Sequence, residues 1–125
     1  MKIEIISQSL NEISFVYNGM IWNTNYQGNC IKDKQIDVEL EVLDTLIWNI
    51  NVFAFNILDS LKENHLDEKG FYSLIFDILE IDENNLVITK EGDSIMFLEI
   101  DGIPEYTTGY LKVYFNNFKI YPSNY

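Results

Sequence analysis

The side chains able to do covalent or metal chemistry in this chain are few. It holds one histidine, His65, and one cysteine, Cys30, and all eight of its basic residues are lysine. His65 sits in KENHLDEKG, a charged segment where a lone imidazole reads as a surface residue at the negative end of a helix rather than a general base. Cys30, in GNCIKDK, has no histidine close in sequence and matches no nucleophile motif, so it reads as an ordinary thiol. There is no nucleophile elbow, no phosphate loop and no dinucleotide fingerprint. The acidic turns DENN at 82–85 and EGD at 91–93 lack the central glycine and final glutamate of a calcium loop. A carboxylate pair for glycoside hydrolysis depends on a separation that sequence does not give, and so short a chain offers it a cramped cleft. These residues predict no catalysis, no cofactor and no bound metal.

What remains is the carboxylates. In QIDVELEV, residues 35–42, Ile36, Val38, Leu40 and Val42 alternate strictly with Asp37, Glu39 and Glu41. A period of two puts the aliphatic residues on one face of a strand and the acids on the other. At ~3.3 Å of rise per residue the acids stand ~6.6 Å apart, close enough to repel unless something basic lies opposite. Three readings fit: the solvated face of an edge strand, pairing with Lys32, Lys34 or a neighbouring strand's lysine, or a decoy for a basic groove. Asp77, Glu80, Asp82 and Glu83, then Glu91, Asp93, Glu99, Asp101 and Glu105, extend the acidic set.

Composition sets the class of partner. Twenty acids against eight lysines leave a formal charge of −12. A nucleic-acid binder shows a basic stripe and uses arginine's planar fork on phosphate; this chain has neither, so direct nucleic-acid binding is not expected. An acidic field speeds the approach of a basic protein, although acidity alone also serves solubility. A length of 125 residues with 47% hydrophobic content predicts a single folded domain over 1–125. A lone cysteine forms no intrachain disulfide, which suits a reducing cytoplasm. The start, MKIEIISQS, carries Glu4 and alternates like a strand, unlike a signal peptide. The uncharged run from Thr45 to Leu58 falls short of the ~20 residues of a bilayer helix, so no membrane association is expected.

The elements that must position these groups are mostly strands. Asn18-Gly19 between ISFVY and MIWNT predicts a tight hairpin of 12–17 and 20–25, preceded by a strand at 2–6. After 35–42, Asp44 and Thr45 can cap a helix whose stripe is Leu46, Ile50, Phe53, Ile57 and Leu61. The competing reading is a strand, because Ile and Val crowd the first half; length favours the helix, over 45–64. FYSLIFDILEI, LVITK and SIMFLEI follow as three strands joined by short turns, then GYLKVYF and FKIYP around Asn116-Asn117, which suits another hairpin. The fold expected is α+β: mainly antiparallel, about eight strands in a sandwich-like or curved sheet, with one principal helix near 45–64. Trp22 and Trp48 read as core anchors. Tyr106, Tyr110, Tyr114, Tyr121 and Tyr125 are harder to bury, and tyrosines beside carboxylates are what an interface uses.

A small, acidic, cysteine-poor chain of this kind resembles bacterial immunity proteins of contact-dependent growth inhibition and related polymorphic toxin systems. The resemblance is one of overall type and rests on no motif. It implies tight one-to-one binding of a cognate protein toxin, basic and commonly a nuclease, by covering its active site. The expected partner-binding residues are Asp37, Glu39, Glu41, Asp77, Glu80, Asp82, Glu83, Tyr106 and Tyr110. Two other readings are a phage-type nucleic-acid mimic, acidic over nearly its whole surface, and an acidic β-sandwich that binds a small ligand or joins an assembly.

Overall fold

The computed structural model describes residues 1–26, 30–55 and 71–122. Its elements are β1 (Lys2–Gln8), β2 (Glu12–Tyr17), β3 (Met20–Asn25), β4 (Gln35–Val42), β5 (Leu46–Ile47), β6 (Val52–Phe55), β7 (Tyr72–Ile81), β8 (Leu86–Glu91), β9 (Ser94–Asp101), β10 (Tyr110–Phe115) and β11 (Phe118–Pro122). The mainly antiparallel β expectation holds, with eleven strands among the described residues instead of about eight. Its α component does not, since no helix occurs among the described residues. His65, Tyr125 and residues 56–64 of the expected helix lie outside the described residues. The strands sort into two compact units, Met1–Leu43 with Asn117–Tyr125, and Asp44–Asn116.

The first unit is a five-stranded sheet in the order β11-β4-β1-β2-β3. Period-two alternation turns Ile3, Ile13, Phe15, Met20, Trp22, Val38, Leu40, Phe118 and Ile120 inward, and all are buried. The β2–β3 hairpin closes at Asn18 (φ 52°) and Gly19 (φ 73°), the positive-φ pair that such a turn demands. The sheet curls until its two edge strands meet. There the Thr24 hydroxyl on β3 donates to the Phe118 carbonyl on β11 at 2.7 Å, and the Trp22 and Phe118 rings meet edge to face with centroids 5.7 Å apart. Bringing the edges together covers backbone groups that would otherwise template unwanted pairing.

The second unit is a six-stranded sheet in the order β5-β9-β8-β7-β10-β6, antiparallel except where β5 runs parallel to β9. One face buries Val52, Tyr72, Leu74, Phe76, Val87, Leu98, Ile100, Leu111, Val113 and Phe115. The β7–β8 turn is held by Asp82, whose carboxylate oxygen accepts from the amides of Asn84 (2.7 Å) and Leu86 (3.0 Å). Asn85 completes that turn at φ 65°.

Residues 45–55 overturn the expected helix. They form β5, a turn and β6, and Trp48 stands in that turn with its amide donating to the Asp101 carbonyl at 2.8 Å. Leu46, Ile50 and Phe53 fit a helical stripe, but asparagine chemistry decides the matter. Asn49 takes φ 64°, outside any right-handed helix. The Asn51 side chain accepts from the Ile47 amide and donates to the Thr45 carbonyl, both at 2.8 Å, so it satisfies backbone groups that a helix would have used. Asn51→Ala is expected to lower stability by about 1–2 kcal/mol, two modest hydrogen bonds, read as a shift in the urea midpoint.

Two further expectations are corrected. Asp44 caps no helix; its carboxylate oxygens accept from the Asn116 amide, both at 3.3 Å. Asn116-Asn117 makes no hairpin, because β10 and β11 belong to different sheets. Neither asparagine adopts positive φ, and the chain bends at Asn116.

Candidate functional site

The carboxylate row of β4 is exposed, as its alternation requires, while Val38 and Leu40 are buried behind it. It does not lie on an edge strand, since β4 is flanked by β11 and β1. Register then supplies the basic groups that the sequence left open. Lys2 on β1 stands opposite Asp37, Lys119 on β11 opposite Glu41, and Tyr121 opposite Glu39. Directly opposed residues share a face with side chains ~4.5–5.5 Å apart at Cβ, so each of the two outer acids has a lysine as its cross-strand neighbour. Lys34 is taken elsewhere, pairing with Glu4 at 3.3 Å.

The Tyr121 hydroxyl donates diagonally to Glu41 Oε2 at 3.0 Å. That bond holds the phenol above its ordinary value, with partial desolvation and the Glu41 charge adding to it. Because the folded-state value is raised, the contact contributes stability below the ordinary phenol range and loses it as pH rises through the folded value. Glu41→Gln is expected to lower the Tyr121 titration midpoint, which the pH dependence of its ring carbon resonance measures.

The second unit gathers the other predicted residues. Facing away from its buried side, Tyr110, Asp77, Lys90 and Ile95 form one cross-strand ladder through β10, β7, β8 and β9. Beyond a bulge between Ile78 and Glu80 in β7, the next ladder runs Glu80, Ile88, Phe97, and the last pairs Leu86 with Glu99. Ile95 is 53% exposed and Phe97 65%. Ile88, Ile95 and Phe97 thus form an apolar group toward β9, with Glu80 and Glu99 beside it and Lys90 between Ile95 and Asp77. Glu83 at the β7–β8 turn and Asp101 at the end of β9 are exposed as well. Among the described residues of this unit the lysines are Lys90, which opposes Asp77, and Lys112, which is buried with Nζ 5.5 Å from the Tyr114 ring centroid.

Of the predicted residues, Asp37, Glu39 and Glu41 share one face of the first unit; Asp77, Glu80 and Tyr110 share one face of the second. Asp82 is engaged by its own turn. Tyr106, 85% exposed, stands in the loop between β9 and β10. Ile95 and Phe97 were not anticipated. SIMFLEI is apolar on both sets of alternating positions, so the pattern does not say which set turns outward. Cys30 is an exposed free thiol. Among the described residues, no group of three or more His, Cys, Asp or Glu side chains is placed to hold a metal ion, and no helix is long and apolar enough to cross a membrane.

Compared with known proteins, the chain matches no family model, and neither its sequence nor its fold finds a significant match among curated proteins and solved structures.

Proposed function

We propose that this chain is an immunity-type protein that binds and neutralises a basic protein toxin, a nuclease by class, through the outer face of β7, β8 and β9. The observation that carries the reading is the exposure of Phe97 and Ile95 at the β9 margin of a face that also carries Asp77, Glu80 and Glu99. Exposed apolar side chains among charged ones are the anatomy of a protein interface, and the excess of acids on that face selects a basic partner. A net charge of −12 draws that partner in. A nucleic-acid mimic would carry acid over nearly its whole surface; here lysines oppose the β4 row, and exposed aromatic surface stands among the acids, which favours one specific protein. The partner is bound one to one in the cytoplasm, and the chain itself performs no catalysis.

The test is genetic. The reading expects a toxin-bearing gene directly upstream of the gene for this chain, and expects co-expression of this chain to restore colony formation to cells producing that toxin domain. Absence of such a gene, or colonies no more numerous with the chain than without it, would overturn the proposal.

A further inference from the structure

β9 is covered along one side only in part. β5 pairs with its end, Leu46 opposite Ile100 and Ile47 opposite Asp101. Among the described residues, no strand pairs with that side between Ile95 and Glu99. Register shows which backbone groups lie there. Glu91 and Ser94 flank the turn at Gly92-Asp93, and a turn of this length makes its flanking residues a hydrogen-bonded pair. Bonded pairs then recur at Thr89–Met96 and Val87–Leu98, which leaves Ile95, Phe97 and Glu99 aiming their N–H and C=O groups away from β8. Two bonds agree with this parity. The Ile100 amide donates to the Asn85 carbonyl at 3.0 Å, toward β8, whereas the Asp101 carbonyl accepts from the Trp48 amide at 2.8 Å on the opposite side.

Proteins usually blunt such an edge with lysine, proline or a bulge. Residues 94–100 contain no lysine and no proline, and the β8–β9 register runs without a bulge. The side chains on the same residues, Ile95 and Phe97, are the exposed apolar ones. Exposed Asp93 stands before them, and exposed Glu99 and Asp101 after them.

We infer that β9 takes up an extended segment of the basic partner as an added strand, with apolar side chains against Ile95 and Phe97 and lysine or arginine side chains against Asp93 and Glu99. Backbone bonds supply the affinity and the alternating side chains the selectivity. A second copy of this chain does not fit: each carries −12, and pairing edge to edge would set these carboxylates against their own counterparts. The inference rests on the proposal that the partner is a basic protein, and adds the mode of engagement.

The probe is the capped peptide Lys-Thr-Val-Thr-Val-Thr-Lys, whose valines and lysines share one face, about seven residues long to reach from Glu99 to Asp93 at ~3.3 Å per residue, followed by fluorescence anisotropy in physiological salt. Its counterpart is the same peptide N-methylated on alternate amides, with equal charge and no donors along one edge. Phe97→Pro removes the outward N–H and leaves every β8–β9 bond in place; Phe97→Lys, a charge at the edge, is the second variant. The expected result is saturable binding of the unmodified peptide, weakened roughly tenfold to a hundredfold by N-methylation and by Phe97→Pro, as the loss of one to three backbone bonds implies, and weakened as well by Phe97→Lys, which sets a like charge beside the peptide's lysines. Equal binding of the methylated peptide, unchanged binding by both variants, or no binding of the unmodified peptide would overturn strand addition. Colony rescue separates the two claims: rescue by Phe97→Pro at the parent's level removes strand addition and leaves neutralisation standing, while failure of the parent chain removes neutralisation itself.

Discussion

Trp22→Ala is expected to cost about 3–5 kcal/mol of unfolding free energy, a large share of what a small protein has. Trp22 has no exposed surface. Its ring stacks on Phe15 (centroids 6.2 Å, 9° between planes) and meets Tyr17 and Phe118 at steep angles, 66° and 89°. The indole N–H donates to the Tyr17 carbonyl at 3.0 Å. Alanine removes the rings' common partner, leaves a cavity, and deprives that carbonyl of its donor. It also strips the aromatic contact from the seam where β3 meets β11, which only the Thr24 bond then spans among the contacts described above. Urea denaturation followed by circular dichroism measures the loss. A cost under about 1 kcal/mol would contradict this account of the core, because that is the size expected of an unremarkable substitution.

Phe97→Ser is expected to do the reverse, sparing the fold and damaging recognition. Phe97 projects into solvent from β9 and is 65% exposed, so its removal opens no cavity. Stability should stay within about 0.5 kcal/mol of the parent. An aromatic residue at the centre of an interface, by contrast, carries about 2–4 kcal/mol, which is roughly a 30-fold to 1,000-fold loss of affinity. Neutralising the β4 row with Asp37→Asn, Glu39→Gln and Glu41→Gln serves as the comparison. Lys2 and Lys119 stand opposite two of its acids, so the row presents a weaker field to a basic partner than unopposed acids would. The fold should survive, and the affinity loss should be smaller than for Phe97→Ser. Titration calorimetry with the toxin domain, alongside thermal unfolding of each variant, gives both numbers.

Much of the fold could be read from alternation alone. The bounds of β2, β3, β4 and β11 follow from period-two patterning and from Asn18-Gly19, because a half-buried strand and a positive-φ turn each leave a direct mark on sequence. Residues 45–55 give a helical signal because Leu46, Ile50 and Phe53 satisfy that period, while Asn49 takes positive φ and the Asn51 side chain captures backbone hydrogen bonds, a local contest that periodicity does not register. Asn116-Asn117 looked like a hairpin because turn residues report a change of direction and not the sheet that the chain enters next. The candidate site was legible as a set of residues but not as a surface. Asp77, Glu80 and Tyr110 come together through register across β10, β7 and β8, and the bulge in β7 shifts Glu80 onto the same face. Strand order alone shows that, among the described residues, β9 keeps an open stretch. It depends on how briefly β5 pairs, which no spacing in the sequence records.

A chain that neutralises a basic toxin by binding it inhibits stoichiometrically. The activity of the purified toxin domain on its nucleic-acid substrate is measured against increasing concentrations of the chain in physiological salt. The account predicts that activity falls linearly and is abolished at one equivalent, and that Phe97→Ser displaces the curve to much higher concentration. Full toxin activity in the presence of excess chain would contradict it.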